Sequence, residues 1–209
     1  MVFKRRTRQG IAERLARAFY PRGGWRRAAS YVVHRLRRLP DAPERIAAGV
    51  GAGIFASFTP LYGFHFLLAA LVAWLARGNI LAALLATFFG NPITFPFIVL
   101  GSIELGSWLL GIDQSMKAPE VMKAFGAASY ELTGNLGALF GDRPVYWGHL
   151  LRFINEVWLP YMLGGAILGT IFGVAGYFVS LPVMRAYQAR RREVLRKRFA
   201  RARRQGGDD

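Results

Sequence analysis

Residues 46–76 read IAAGVGAGIFASFTPLYGFHFLLAALVAWLA and contain no Lys, Arg, Asp or Glu. A second apolar run follows at residues 80–112 and holds one charged residue, Glu104. A third apolar run lies at residues 157–183. A helix needs about 20 apolar residues to cross the hydrocarbon of a bilayer, and each run exceeds that length. The sequence therefore predicts an all-α, polytopic membrane protein.

Prolines interrupt the first two runs near their middles. Pro60 lies within Thr-Pro-Leu-Tyr-Gly, and Pro92 follows Gly-Asn. Because proline removes a backbone donor and clashes with the preceding turn, each run is predicted to form two shorter helices. The freed carbonyls are tolerated at membrane depth only inside the protein or beside a wet cavity, and paired broken helices point to a binding site. The residues of this candidate polar site are Thr59, Pro60, Tyr62, Gly63, His65, Asn79, Asn91, Pro92 and Thr94.

Basic residues concentrate at the two ends of the chain. Of its 28 Lys and Arg residues, 13 fall within residues 4–45 and 10 within residues 185–204. Short basic flanks remain on the cytoplasmic side of a membrane, so both termini are predicted to be cytoplasmic. The predicted divisions are a basic amphipathic segment at 1–45, a membrane domain at 46–184 with an exported loop at 113–156, and a basic tail at 185–209.

Two cytoplasmic ends require an even number of crossings, whereas three runs that each cross once give an odd number. One of the first two runs is therefore expected to be re-entrant, which means that it enters and leaves on the same face through two half-helices. We favour the first run, with halves at 46–58 and 64–76, because Arg77 then lies at the cytoplasmic face. The alternative is a second run that is re-entrant around Asn91 and Pro92.

Amphipathic segments flank the apolar runs. Residues 11–20 and 25–39 carry apolar side chains at helical spacing among arginines, which predicts helices in the membrane interface or, alternatively, solvated basic helices. Another interfacial helix is predicted after Pro144. Anionic headgroups would neutralise the basic ends, so membrane lipids are the expected partners.

Two short patterns resemble a known bacterial family. They are Phe-Ala-Ser-Phe-Thr-Pro-Leu-Tyr-Gly-Phe-His at 55–65 and Gly-Asn-Pro-Ile-Thr at 90–94, with Asn79 between them. Over residues 30–185 the chain resembles domain of unknown function 2062. That resemblance implies a bacterial inner-membrane protein and brings no assigned activity. The re-entrant arrangement is also similar to membrane proteins of the DedA type, which are associated with lipid-carrier transport, but an analogy of fold does not carry function.

Several polar residues within the apolar runs have two interpretations each. His65 is a functional candidate because ionisable groups at membrane depth are rare, or it is a neutral imidazole bound to a carbonyl that Pro60 frees. Asn91 and Thr94 are either helix caps or ligands that face a cavity. Glu104 is either a proton-coupling group or an interfacial residue near the far edge of its span.

Small residues mark one face of the last apolar run. Gly165, Gly169 and Gly173 recur every four residues, and such a face allows helices to approach closely. The partner is predicted to be the first runs of this chain, with a second copy in a homo-oligomer as the alternative.

The sequence also excludes several classes of protein. Zero cysteines exclude disulfides and thiolate metal sites. No nucleic-acid-binding motif accompanies the charge, so we expect no nucleic-acid partner. No metal motif, nucleophile elbow or phosphate loop is present, so we expect neither an enzyme nor a cofactor. The predicted function is a small transporter or lipid-translocating protein of undetermined substrate. The alternative is a non-catalytic membrane scaffold that binds anionic lipid or a partner protein.

Overall fold

The computed structural model describes residues 24–112, 118–138 and 144–205, and every regular element among them is helical. The helices are α1 (Gly24–Arg37), α2 (Pro43–Ser57), α3 (His65–Leu75), α4 (Ile80–Ala86), α5 (Phe95–Leu109), α6 (Ala118–Ala138), α7 (Gly148–Phe153) and α8 (Leu159–Gln205). A 3-10 turn, Thr87–Phe89, extends α4, and a π-helical turn, Ile154–Trp158, joins α7 to α8. The all-α prediction is therefore confirmed for the described residues.

The chain forms two compact units, Met1–Pro40 and Asp41–Asp209. The first contains α1, which covers most of the amphipathic segment predicted at 25–39. The other predicted segment, at 11–20, lies outside the described residues. The second unit contains α2 to α8.

One helical stretch of the described chain, Gly148–Lys197, is long and apolar enough to cross a membrane. Three further apolar helical stretches, His65–Leu75, Ile80–Phe89 and Phe95–Leu109, have only 10–17 residues. The second run does not form one long helix because residues 90–94 interrupt it. The loop predicted at 113–156 is largely helical, since α6 alone has 21 residues.

Helices α2 and α3 form a hairpin. Helix α2 starts at Pro43, where a missing N–H costs nothing, and ends where the Thr59 hydroxyl donates to the Ala56 carbonyl at 2.8 Å. The chain then turns through Gly63, whose φ of +85° suits glycine. At the far end of α3, the backbone N–H of Asn79 donates to the Arg45 carbonyl at 2.7 Å. The first run thus returns to the level at which it began.

Helix α4 runs parallel to α2 and packs closely on it. The Asn79 side chain caps α4 by accepting from the Ala82 N–H at 2.8 Å. Gly49 and Gly53 make the close approach possible, because a Cβ on Gly53 would overlap the Ala83 carbonyl. The two helices therefore have their ends at the same levels.

Helix α5 continues beyond the second break and packs against α8. A Cβ on Gly106 of α5 would overlap the Pro160 carbonyl, and a Cβ on Gly164 would overlap the Ser102 carbonyl. Pro160 cannot donate a backbone hydrogen bond to the preceding turn, and this accounts for the π-helical turn before it.

Helix α8 is the common axis of this unit. Gly165 of α8 faces Phe58, Gly173 faces Gly51, and Arg185 forms an ion pair with Glu44 at 2.9 Å, so α2 and α8 are antiparallel. Helix α5 packs on the N-terminal part of α8 and, like α2, is antiparallel to it. Helices α2 and α5 therefore lie in tandem along α8.

The candidate glycine face of α8 is used within the chain. Gly165, Gly169 and Gly173 all contact α2, at Phe58, Phe55 and Gly51. This is the intramolecular packing that the spacing of the glycines favours.

Candidate functional site at the helix breaks

The two helix breaks, residues 58–64 and 90–94, lie side by side. The Ser57 hydroxyl at the end of α2 donates to the Thr87 carbonyl at the end of α4, at 3.1 Å. The Phe58 ring stacks on Phe89, with ring centroids 6.0 Å apart, and on Phe172 of α8 at 5.1 Å. Both breaks therefore lie at one level of α8.

The first break is held by packing and by few side-chain hydrogen bonds. Thr59 and Pro60 are buried, whereas Gly63 is exposed. The Tyr62 ring contacts Phe95 edge-on at 5.6 Å and lies 6.3 Å from the ring of Tyr161, so it bridges the first break to α5 and α8. The break thus presents one phenol within an aromatic surface.

His65 follows the first break as the first residue of α3. Its half-buried ring lies 4.0 Å from the Phe66 ring. Within the described parts of the chain, His65 makes no side-chain hydrogen bond, so the interaction predicted with a carbonyl freed by Pro60 is not found. The imidazole nitrogens are therefore free to bind a ligand or water.

The second break is held by a side-chain network. The Asn91 side-chain oxygen accepts from the backbone N–H groups of Ile93 at 2.9 Å and Thr94 at 3.2 Å, and its amide donates to the Phe89 carbonyl at 3.3 Å. The Thr94 hydroxyl accepts from the Asn91 N–H at 3.1 Å and donates to the Phe89 carbonyl. Pro92 is exposed between them. Asn91 and Thr94 therefore bind the carbonyl that ends the 3-10 turn and the backbone N–H groups of the break itself, and no side chain caps α5.

Two buried hydroxyls near the breaks were not among the residues predicted from the sequence. Tyr161 is 1% exposed and Ser102 is fully buried, and their hydroxyls lack a hydrogen-bond partner of ordinary geometry within the described chain. Buried polar groups in proteins are almost always paired, so an orphan hydroxyl requires an explanation. No sequence signal marks either residue, because a lone Tyr or Ser in an apolar helix is common.

Asn79 is separated from the other candidate residues by the length of α4. Its amide donates to Asp41 at 2.9 Å, and Asp41 also forms an ion pair with Arg45 at 3.2 Å. Gln188 of α8 donates to the Asp41 carbonyl at 2.8 Å. Partial burial raises the pKa of Asp41, but the hydrogen bonds from Asn79 and the Ala42 N–H and the Arg45 charge outweigh it and hold that pKa below its ordinary value. Asn79 therefore closes the hairpin and does not contribute to the breaks.

An open groove of about 710 Å³ lies at this closed end of the hairpin. Arg45, Arg77, Trp74 and Asn79 are among the residues that line it. Arg77 adopts a φ of +51°, a conformation that side chains other than glycine rarely take. The groove is the second polar feature of this unit.

The remaining candidate, Glu104, is exposed on α5. Two buried residues of α6, Glu131 and Asn135, hold the first turn of α7 and the segment before it. Glu131 accepts from the Leu150 N–H at 2.6 Å, and Asn135 accepts from the Tyr146 N–H at 3.1 Å. No group of three His, Asp or Glu side chains that could hold a metal ion occurs in residues 24–112, 118–138 and 144–205.

Comparison with known proteins identifies a family. A family described as "Uncharacterized protein conserved in bacteria (DUF2062)" matches residues 26–193, which include every helix from α2 to α7 and most of α8. Neither a curated protein nor a solved structure matches the chain.

Proposed function

The chain belongs to the DUF2062 family of bacterial proteins, and we propose from the geometry of its helix breaks that it is an inner-membrane protein that translocates a lipid or another small amphipathic molecule. The observation that carries this proposal is the meeting of the two breaks at one level of α8. The family supplies no activity, so the argument rests on the residues.

The exposed surface supports insertion in a membrane. Only 17% of the most apolar window of the long helix is buried within the chain. Large apolar side chains elsewhere are also exposed, among them Leu67 at 68% on α3 and Phe97 at 76% on α5. A soluble protein rarely leaves an apolar surface of this extent open to water, whereas lipid tails cover it without cost.

The hairpin supports a re-entrant first run with both basic ends on the cytoplasmic side. Its two ends meet at Arg45 and Asn79, and Arg185 at the start of the basic tail pairs with Glu44 at the same level. In this arrangement the second run crosses as two half-helices and α8 crosses back. Because the chain has no cysteine, single cysteines at exposed Ala76 and Tyr130 can be labelled in cells. We expect an external reagent to label the second and not the first, and the reverse pattern would contradict the arrangement.

The breaks offer polar groups at the centre of this membrane unit. His65 has no side-chain hydrogen bond within the described chain, and the buried Tyr161 hydroxyl interacts with that of Tyr62 without a hydrogen bond of ordinary geometry. A headgroup that passes this level could bind these groups and so lower the cost of moving a polar group through hydrocarbon.

A reconstituted flipping assay tests the proposal. The purified chain is placed in vesicles that contain a fluorescent phospholipid, and a reagent outside the vesicles quenches the fluorophores that reach the outer leaflet. We expect the wild-type chain to accelerate exchange over protein-free vesicles. The variants Tyr62→Phe and His65→Ala should slow it about tenfold with little change in melting temperature, because Tyr62 is 41% exposed and His65 makes no side-chain hydrogen bond within the described chain.

A matched control separates loss of the site from loss of a hydroxyl. Tyr130 is 84% exposed on α6 and carries the same group, so Tyr130→Phe should flip lipid at the wild-type rate. A wild-type chain that does not accelerate exchange for any anionic or zwitterionic lipid would contradict lipid translocation.

The second candidate is a non-catalytic scaffold, and the capping network at the second break favours it. Asn91 and Thr94 satisfy backbone groups there, as in a break that serves only compact packing. A scaffold predicts no exchange by the wild-type chain and a lipid composition of the membrane that does not change on deletion. We propose no enzymatic activity and no cofactor under either reading. A second copy in a homo-oligomer would bind another face, since α2 covers the glycine face of α8.

A further inference from the structure

Arg77 carries a charge that the described chain does not neutralise. Its guanidinium is exposed, and it forms no hydrogen bond or ion pair with the described residues. It also occupies the left-handed position at the end of α3, where glycine is the usual residue. The next residue is a glycine, Gly78, but it is required at its own position, because a Cβ there would overlap the backbone of Ala48 and Gly49. A strained position that holds a long cationic side chain is a reason to look for a ligand.

Arg45 brings a second guanidinium to the same groove. Its Nε donates to the Arg77 carbonyl at 3.2 Å, and its other end pairs with Asp41 at 3.2 Å. The Asp41 carboxylate also accepts from Asn79 and from the Ala42 N–H at 2.8 Å, so it is already engaged by three donors. Asp41 also lines the groove, so two guanidinium groups face one carboxylate there. The groove is therefore left with an excess of positive charge and with free N–H donors on both arginines.

Trp74 completes the groove on the side of α3. It lines the groove and is 65% exposed. Trp and Arg are the residues that anchor proteins in the headgroup region, where one part of the side chain contacts apolar chains and the other is hydrated. The groove also lies at the end of the hairpin where Arg185 and the basic tail begin.

We propose that the groove between Arg45 and Arg77 binds the phosphate group of an anionic lipid headgroup. Guanidinium groups bind phosphate oxygens through paired, charge-assisted hydrogen bonds, and Trp74 would contact the glycerol and upper acyl region. The inference rests on the membrane placement in the proposed function, and it adds a headgroup subsite at the cytoplasmic end, about one length of α4 from the breaks.

Titration of the full chain in neutral detergent tests the site. Short-chain phosphatidylglycerol, short-chain phosphatidylcholine, glycerol phosphate and inorganic phosphate are added separately, and binding is followed by thermophoresis. We expect phosphatidylglycerol to bind at least tenfold more tightly than the other three. Arg77→Gln should weaken that binding about tenfold or more, and Arg77→Lys should weaken it less.

The control is Arg191→Gln on the exposed part of α8, which removes the same charge outside the groove. Its affinity should remain within twofold of the wild-type value. Arg77→Gln keeps a β-carbon at the left-handed position, so its melting temperature should match that of the wild type. Equal losses in Arg77→Gln and Arg191→Gln, or no loss in Arg77→Gln, would overturn the site.

The soluble phosphates distinguish the source of the ligand. Inorganic phosphate or glycerol phosphate that binds as tightly as phosphatidylglycerol would overturn the assignment to a lipid. The titration contains no transport step, so its outcome is independent of the flipping assay. If the groove binds lipid but the chain does not flip lipid, only the proposed translocation is contradicted.

Discussion

The two helix breaks resemble each other in local structure and differ in what they do to the chain. Each is a short turn that contains proline and leads into a new helix. The first reverses the chain, so that α3 returns along α2, whereas the second lets α5 continue along α8. The two turns lie side by side at one level of α8, but Thr59 and Pro60 of the first are buried and Pro92 of the second is exposed. The two turns are also held differently.

The reversing break relies on main-chain packing and the continuing break relies on side-chain hydrogen bonds. At the first, the Phe58 carbonyl lies directly against Gly165, and no side chain caps α3. At the second, Asn91 and Thr94 bond to backbone groups on both sides of the turn. After a reversal, the two helices pack on each other and this packing stabilises the turn. A chain that continues in the same direction lacks that packing, so hydrogen bonds within the turn must stabilise it.

The largest effect is expected from Gly165→Ala, which disrupts the packing of the first break against α8. A Cβ at this position would overlap the Phe58 carbonyl, a backbone atom that cannot rotate away. Such overpacking costs about 1–3 kcal/mol or more, and we expect a correspondingly lower unfolding midpoint in detergent. Gly126→Ala on α6 is the matched control, because no atom lies within 4 Å of its added Cβ. Equal midpoints for the two variants would show that the first break does not depend on α8.

The sequence predicts the halves of the first run well and their partners poorly. The expected halves at 46–58 and 64–76 correspond to α2, Pro43–Ser57, and α3, His65–Leu75. This agreement arises because proline and glycine act on the nearest turn and need no knowledge of the rest of the fold.

Long-range pairings account for what the sequence did not reveal. Asn79 was assigned to the breaks, but its amide binds Asp41, 38 residues earlier in the chain. The orphan hydroxyl of Tyr161 and the backbone contacts of Asn135 likewise depend on how helices cross. Side-chain periodicity indicates which face of a helix is apolar, but it does not give the register between two helices that are both apolar on every face.

A smaller effect should separate the two threonines of the breaks. Thr94→Val removes the hydrogen bond from the Asn91 N–H to the Thr94 hydroxyl and that from the hydroxyl to the Phe89 carbonyl, although these two backbone groups stay bonded to each other at 3.0 Å. The loss of two hydrogen bonds should cost about 1–3 kcal/mol. Thr59→Val removes only a donor to the Ala56 carbonyl, which keeps the hydrogen bond from the Thr59 N–H at 3.2 Å, so its cost should be about 1 kcal/mol or less. Both changes conserve shape, and chemical unfolding of the two variants gives the comparison. A larger loss from Thr59→Val would reverse our assignment of which break depends on side chains.

A small effect, close to that of Thr59→Val, is expected from Gly63→Ala, which tests whether the reversal needs glycine in its turn. The added Cβ has no atom within 4 Å, so only the φ of +85° opposes it. The left-handed conformation costs alanine about 1–2 kcal/mol, and the reduced freedom of the unfolded chain returns about 0.4–1 kcal/mol. The net loss should therefore be about 1 kcal/mol. Gly111→Ala, at a φ of +69° and also with open space around it, is the control outside the breaks. A loss at Gly63 well above that at Gly111 would mean that the turn itself, in addition to the packing of α2 on α8, holds the reversal.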